Sequence, residues 1–254
     1  MPLILVTNDD GIDAPGLHVL ASALREAGEI QVLAPDHNWS AAGLTKTMHK
    51  PLRVNEVRLP DGTPARTSNG APSDCVALAL LGILPRPPDL IFSGINSGAN
   101  LGHDIAYSGT VAAALEGCIS GIPSLALSLD GSAEGDFEFA ARFAIHLARE
   151  ITSHGLSRGT LLNVNFPALP RQQIAGVMIT RLGQRVYRDG LIERRDPRGR
   201  KYYWIGGARP ESIPEEGTDV WAVARGYVSI TPLHLDMTDY RALKELRNWR
   251  LDLG

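Results

Sequence analysis

The chain has 254 residues, which is long enough for one large domain with an ample hydrophobic core. Positive and negative charges nearly cancel, leaving a formal net charge of −3, so the composition argues against a surface that coats nucleic acid. No apolar run approaches the roughly 20 residues that a membrane-spanning helix needs, and no leader-like segment opens the chain. We expect a cytoplasmic protein without membrane or nucleic-acid partners. Cys75 and Cys118 lie in apolar helical stretches, which favours buried reduced thiols.

The first predicted element is a buried strand that ends in two acidic residues. Residues 3–6 are all apolar, which is typical of a strand covered on both faces of a parallel sheet. Asp9 and Asp10 follow at its carboxyl end, and Gly11 permits a sharp turn. Ligands of open α/β sheets bind outside the carboxyl ends of the strands, where two adjacent carboxylates repel each other unless a cation or a proton intervenes. The pattern predicts a divalent-metal site.

Strands and helices then alternate along the first two thirds of the chain. This alternation predicts an α/β fold with a Rossmann-like, doubly wound and mostly parallel sheet. Strands are predicted at residues 3–6, 30–34, 52–59, 65–67, 89–93, 122–127 and 160–166. Helices are predicted at residues 16–27 and 137–151, and a third starts within 70–74, with Pro72 in its first turn, and continues over 75–84.

Two loops are predicted to meet the acidic turn. Residues 35–50 are polar, follow a strand and are expected to cover the crevice as a lid. Residues 93–117 begin at the next strand end and lead through Ser108, Gly109 and Thr110 into an alanine-rich helix. Because backbone amides at a helix start attract anions, these three residues are predicted to cradle a phosphate. The glycine spacing fits neither a P-loop nor GxGxxG.

The last third of the chain has a different pattern. Residues 174–230 are predicted as β segments, at 177–181, 201–205 and 220–230, separated by Gly, Pro and charged turns. Such hairpins seldom fold alone, so we expect them to pack on the sheet or on a partner subunit. Residues 238–253 are predicted as a terminal helix of the kind that subunits exchange. Its apolar side chains share one side: Tyr240, Leu243, Leu246 and Trp249.

The residue types at the acidic turn restrict the chemistry. Carboxylate oxygens suit Mg²⁺, Mn²⁺ or Ca²⁺, and no His or Cys pair has the spacing of a zinc site. A cation there would neutralise phosphate charge and orient a water, while helix-start amides hold the other phosphate oxygens. The pattern therefore indicates phosphoryl chemistry.

Seven sequence blocks extend this interpretation: LVTNDDGIDAPG, PDHNWSAAG, GAPSDCV, SGINSGANLG, YSGTVAAALEG, DPRGRKYYWIG and GTDVWAVARGYVSITPL. Spread over nearly the whole chain, they resemble in content and order the family of the stationary-phase survival protein SurE, a metal-dependent 5′/3′-nucleotidase. The resemblance implies one SurE-like domain over residues 1–254, with a Rossmann-like core at 1–170. A β arm and C-terminal helix at 171–254 are implied to join subunits of a homodimer or homotetramer.

The resemblance also implies which residues form the site. It implies removal of phosphate from nucleoside 5′- and 3′-monophosphates, and in many relatives cleavage of short polyphosphate. One divalent ion per subunit, Mg²⁺ or Mn²⁺ with Ca²⁺ as a substitute, is implied at Asp9, Asp10, Ser40 and Asn96. Phosphate contacts are implied at Asn96, Ser108, Gly109 and Thr110, and catalysis at Asp9, Asp10 and Asn96.

Other side chains near these blocks have open roles. Trp39 stands where relatives often carry a basic residue, two positions after His37, and it either stacks on a nucleobase or packs the lid. Either aspartate of the acidic turn can act as the general base, with His103 a weaker candidate; we favour an exposed loop position for His103 and a hinge hydrogen bond for His234.

Two other functions remain open at this stage. An aspartyl-phosphate phosphatase needs alternate rather than adjacent acids, because side chains two apart share a face of an extended segment. A non-catalytic nucleotide-binding oligomer would bind AMP without turnover. A serine hydrolase is disfavoured because the surroundings of Ser97 do not read GxSxG.

Overall fold

The structure is a computed structural model that describes residues 1–131, 137–187, 189–207 and 211–251. Its strands are β1 (Leu3–Thr7), β2 (Glu29–Pro35), β3 (Val54–Arg58), β4 (Pro64–Ser68), β5 (Leu90–Ser97), β6 (Ser124–Leu129), β7 (Thr160–Phe166), β8 (Gly176–Ile179), β9 (Arg185–Val186), β10 (Asp189–Arg195), β11 (Lys201–Gly207), β12 (Glu211–Ser212) and β13 (Tyr227–His234). Its α-helices are α1 (Pro15–Leu24), α2 (Pro72–Leu78), α3 (Gly109–Ile119), α4 (Phe137–His154), α5 (Asp219–Ala224) and α6 (Tyr240–Leu246). Within these ranges, no helix combines the length and apolarity needed to cross a membrane.

One mixed sheet organises the chain, in the strand order β3-β4-β2-β1-β5-β6-β7-β13-β8. Its central pairs from β2 to β7 are parallel, whereas β3 is antiparallel to β4 and β13 is antiparallel to β7. The chain runs from β1 to β2 on one side and later returns to β5 on the other side of β1. The strand order therefore reverses at β1, and the crevice at its carboxyl end is where open α/β sheets bind ligands. The predicted fold class is confirmed.

Helices cover both faces of the sheet, which explains why β1 is apolar at every position. Ile4 and Val6 belong to the hydrophobic core under α1 and α4. Leu5 points to the other face and packs with Cys75 of α2 and Ala113 of α3. All five residues of β1 are buried. Neither face of the strand meets solvent, so polar residues do not alternate with apolar ones.

One predicted strand is wrong in its first half. Residues 220–230 were predicted as β, but 219–224 form helix α5, and only the following residues enter β13. The side chain of Thr218 accepts a hydrogen bond from the backbone N–H of Trp221 and so caps α5. Val220 and Val223 pack against Leu101. With fewer than two turns, the helix is too short to show a clear helical repeat in its sequence.

The bounds of three other predicted elements differ from those in the structure. β5 continues to Ser97 rather than ending at residue 93, and α1 ends at Leu24, earlier than predicted. The terminal helix occupies only 240–246, and residues 252 and 253 of the predicted helix lie outside the described residues. Cys75 and Cys118 are buried free thiols, as predicted.

Gly16 tests the close packing of α1 on β5. A Cβ atom at this position would lie 2.1 Å from the carbonyl oxygen of Ile95. We expect Gly16→Ala to lower the free energy of unfolding by about 3 kcal/mol, because one backbone segment must move. Urea unfolding measures this change.

Gly206→Ala is the matched control, since its Cβ would lie 3.5 Å from Cδ1 of Ile192, an ordinary contact. We expect it to change the free energy of unfolding by less than about 0.5 kcal/mol. Similar losses for both variants would contradict the packing argument.

Candidate active site

The candidate site lies where the strand order reverses. Thr7 at the end of β1 pairs with Ser93 of β5, which brings the acidic turn beside residues 94–97. The start of α3 approaches from the other face, because a Cβ at Gly109 would lie 2.7 Å from Cβ of Asp9. Three segments far apart in sequence therefore meet at two carboxylates, as the sequence predicts.

Asp9 is the buried member of the acidic pair, with 4% of its surface exposed. Its Oδ1 accepts a hydrogen bond of 2.6 Å from the hydroxyl of Thr110. Burial raises the pKa of Asp9 to about 6, and the charge of Asp10 adds to the increase, while the hydrogen bond from Thr110 opposes it. The fold thus holds a carboxyl group that is costly to ionise without a cation.

Asp10 is more accessible. Its Oδ2 accepts the backbone N–H of Ser97 at 3.3 Å, and its Oδ1 lies 3.4 Å from the side-chain nitrogen of Asn38. Burial raises the pKa of Asp10, and the hydrogen bond from Ser97 lowers it. Asp10 therefore connects β5 with the loop after β2, while Asp9 faces α3.

The loop at residues 35–50 closes over the acidic turn, as predicted for a lid. The backbone N–H of Trp39 donates to the carbonyl oxygen of Asp9 at 2.8 Å, and that of Gly43 donates to Tyr107 at 3.0 Å. Ser40 is exposed, and its hydroxyl donates to Oδ1 of Asn38. The lid is thus attached to both the acidic turn and the segment before α3.

The rings of His37 and Trp39 lie 5.1 Å apart. Nε1 of the indole is buried and has no hydrogen-bond partner within the described part of the chain. One edge of the indole is therefore covered by protein, which favours the packing role for Trp39 over stacking on a nucleobase.

Asn96 reaches the crevice through an irregularity in β5. The pairing of β5 with β6 shifts register between Ser93 and Asn96. The side-chain nitrogen of Asn96 donates to the carbonyl oxygen of Gly98 at 2.7 Å, so its amide oxygen is the group left to face a ligand. A Cβ at Gly94 would lie 2.3 Å from the carbonyl oxygen of Leu127, so this bend requires glycine.

The predicted phosphate cradle is the amino end of α3. Ser108 is the N-cap, and its side chain accepts the N–H of Val111 at 3.1 Å. The first amides of a helix have no partner within the helix. The hydroxyl of Thr110 donates to Asp9, and its backbone N–H also hydrogen-bonds to that carboxylate, so the amide of Gly109 is the group suited to an anion.

The sequence analysis missed a layer of buried amides behind the site. Asn163 and Asn165 of β7 both donate to the carbonyl oxygen of Asn100, and Asn165 accepts its N–H. The side chain of Asn100 donates to Ser128 at 2.8 Å and approaches Thr110 at 3.5 Å. The sequence did contain one signal for this layer: Asn163 and Asn165 occupy alternate positions of a strand in which no residue is exposed.

Asp219, a second missed residue, is fully buried at the start of α5. Its carboxylate accepts the backbone N–H groups of Gly102 at 2.8 Å, Gly183 at 2.7 Å and Val220 at 2.8 Å. It therefore ties the segment before the phosphate cradle to the last third of the chain. Nearby, Arg185 forms an ion pair of 2.5 Å with Asp104.

The weaker histidine candidates stay apart from this arrangement. His103 is exposed in a 3-10 turn, and His234 is the exposed last residue of β13, opposite Thr160 of β7. Neither forms a hydrogen bond to the acidic turn within the described ranges.

The donor set fits a hard divalent cation. Across the described ranges, no three carboxylate, imidazole or thiol side chains form a group that could bind a metal, so an ion here needs neutral oxygens beside its two carboxylates. The amide oxygen of Asn96 and the hydroxyl of Ser40 are of that kind. Burial raises the pKa of Asp9, so a cation bound beside it would offset the cost of ionising this carboxyl.

Comparisons with known proteins agree with this geometry. The sequence model of the family described as "Survival protein SurE" matches residues 4–189. The 5'-nucleotidase SurE of Chloroflexus aggregans is 54% identical over 248 residues, 97% of this chain and 98% of its own. That of Geobacter sulfurreducens is 49% identical over 249 residues, 98% of this chain and 94% of its own. The crystal structure of the SurE protein from Aquifex aeolicus superposes with a TM-score of 0.83 at 42% identity, over 97% of this chain and 98% of that one.

The buried carboxyl of Asp9 predicts an unusual pH dependence of stability in metal-free protein. Its folded pKa, about 6, exceeds the ordinary value of 3.8, so the folded state binds the proton more tightly than the unfolded state. Stability should therefore fall as the pH rises from about 4 to 6, by up to about 3 kcal/mol. We expect Asp9→Asn to be more stable than wild type by that amount at pH 8, and to lose the advantage near pH 4.

Urea unfolding in chelator at several pH values tests this prediction. Asp61→Asn is the control, because hydrogen bonds from Thr63 lower the pKa of that exposed carboxyl, and it should bring no gain at pH 8. A difference between wild type and Asp9→Asn that is constant from pH 4 to 8 would show that burial does not perturb Asp9.

Proposed function

The chain belongs to the survival protein SurE family, and from that premise we propose that it is a metal-dependent phosphohydrolase that removes phosphate from nucleoside 5′- and 3′-monophosphates. Its relatives named 5'-nucleotidase SurE share about half of its residues over nearly the full length, which supports the nucleotidase activity. The observation that carries the proposal is the contact between the buried Asp9 and the first residues of α3. This contact places the carboxylates that would hold a cation beside the helix start that would bind phosphate.

One group of residues would bind the cation, and another would bind the phosphate. Asp9, Asp10, Ser40 and Asn96 would hold one Mg²⁺ or Mn²⁺ ion, which when bound neutralises phosphate charge and makes water more acidic. The backbone amide of Gly109 holds a phosphate oxygen and stabilises the negative charge of the transition state. Thr110 fixes the position of the Asp9 carboxylate through its hydroxyl.

We assign the role of proton acceptor to Asp10. Its carboxylate is more exposed than that of Asp9 and has weaker hydrogen bonds, at 3.3 Å and 3.4 Å. Oδ1 of Asp9, by contrast, is occupied by Thr110. Asp10 can therefore accept a proton from the attacking water with less loss of existing interactions.

We also propose that the last third of the chain joins subunits into a homodimer or homotetramer. The β10–β11 hairpin carries exposed apolar side chains on both faces, with Trp204 at 61% and Ile205 at 82% exposure. No residue of α6 is buried. Apolar surfaces of this kind usually mark an interface. We keep the proposed division near residue 170 between core and arm, with β8 and β13 of the later part extending the sheet.

Two finer assignments complete the proposal. Short polyphosphate is a second substrate class, since its terminal phosphate presents the same charge to the helix start. The reduced thiols of Cys75 and Cys118 support a cytoplasmic location.

Phosphate release from AMP tests the activity. Chelator-stripped protein should release no phosphate, and Mg²⁺ or Mn²⁺ should restore release. We expect Asp9→Asn to lower kcat/KM by about 10²–10³-fold, because the site loses a charged ligand worth several kcal/mol.

Asp61→Asn, in the turn between β3 and β4, is the control and should keep wild-type activity. Binding of AMP without phosphate release in any divalent metal would reject the enzyme in favour of a binding module. A phosphoenzyme trapped on Asp9 or Asp10 would instead reject direct attack by water.

Sedimentation velocity tests the interface. We expect the double variant Trp204→Glu/Ile205→Glu to sediment as a monomer, because burying two carboxylates in an apolar interface is unfavourable. Arg198→Glu, in the turn of the same hairpin, should leave the oligomer intact. An unchanged sedimentation coefficient for the double variant would place the interface elsewhere.

A further inference from the structure

Resting on the proposed nucleotidase activity, we infer that the nucleoside of the substrate binds in a cavity beside Asp10, at the amino end of α1. The cavity has a volume of about 330 Å³, within the range of roughly 300–1,000 Å³ in which proteins bind small molecules. Its lining includes Asp10, Asp13, Ala14, Pro15, Ser97 and Phe137.

The cavity is continuous with the candidate active site. Asp10 lines it and also belongs to the acidic turn, and the backbone N–H of Ser97, another lining residue, donates to Asp10. The backbone hydrogen bonds of the lid go to Asp9 and Tyr107 and not to residues of this cavity. A substrate whose phosphate lies between the acidic turn and α3 can therefore extend past Asp10.

The lining favours an uncharged group with a flat apolar body and a polar edge. Pro15 and Ala14 are accessible apolar surface, and Ile95 and Phe137 form a nearly buried floor. The charged lining groups among the described residues are two carboxylates, Asp10 and Asp13. They repel a further phosphate, so the chain of a short polyphosphate lies outside this cavity, whereas a carboxylate accepts hydrogen bonds from ribose hydroxyls. We assign that contact to Asp13.

Other places for the nucleoside fit less well. One edge of the Trp39 indole is covered by protein, and its ring already packs near His37. A larger cavity of about 580 Å³ is lined by Ile30 and Gln31, near the amino end of β2, whereas the acidic turn follows the carboxyl end of β1. A nucleotide with its phosphate at α3 does not extend in that direction.

Filling the cavity tests the inference. Ala14→Trp places a large ring in the cavity, and we measure kcat/KM for AMP and for glycerol 2-phosphate, an ester without a base. The ratio of the two values should fall about tenfold or more, because a filled pocket excludes only the larger leaving group. Ala14→Ser, the matched control that keeps the cavity open, should leave the ratio within about twofold of wild type.

If Ala14→Trp leaves the ratio unchanged, the inference is wrong. A fall in the ratio caused by Trp39→Ala would also overturn it, because the base would then stack on Trp39. Because Ala14→Trp is a large change, Asp13→Ala gives an independent test. It should lower kcat/KM about fivefold for AMP and much less for 2′-deoxy-AMP; equal losses overturn the Asp13 assignment.

Failure of the proposed activity has a different signature. In that case, wild-type protein releases phosphate from neither ester. Calorimetric titration with adenosine then still tests the cavity: binding that Ala14→Trp abolishes and Ala14→Ser retains supports it, and absence of binding to wild type overturns it.

Discussion

The interior position of Asp9 is the constraint around which the site is built. A carboxylate removed from water loses hydration that several weak contacts cannot fully replace, and here a second carboxylate follows directly in the chain. The protein supplies one strong hydrogen bond, from Thr110, and the positive end of α3. Because residue 109 is glycine, the start of α3 can approach Asp9 this closely. A bound cation would neutralise the negative charge that remains.

Behind these first contacts, amide side chains keep the site rigid. Asn100 is bonded through its backbone to two asparagines of β7 and through its side chain to Ser128. Since a buried amide that loses one partner is costly, the network has few alternative arrangements. Side chains of two strands, β6 and β7, thus hold the segment between β5 and α3, which a loop rich in glycine cannot achieve by itself.

Sequence reasoning succeeded where a local pattern has one physical cause. The apolar run of β1 requires two covered faces, and Ser108 before an alanine-rich helix is a strong cap. It failed where distant contacts decide. The valines of helix α5 pack on Leu101, more than 100 residues earlier, and this distant contact outweighs the β pattern of the segment; the local cap by Thr218 was the one signal in the sequence. The partners of Asp219 and Asn100 lie many residues away, so no spacing rule finds them. The bend at Gly94 depends on a carbonyl oxygen of β6.

Asp219 also bears on how this architecture can evolve. Its carboxylate, in the last third of the chain, holds the backbone of Gly102 just ahead of the helix start that faces Asp9. A gene exchange that replaced only the C-terminal third would have to retain an acid there and a matching loop at 101–106. The last third of the chain and the loop ahead of α3 can therefore be exchanged only as a matched pair.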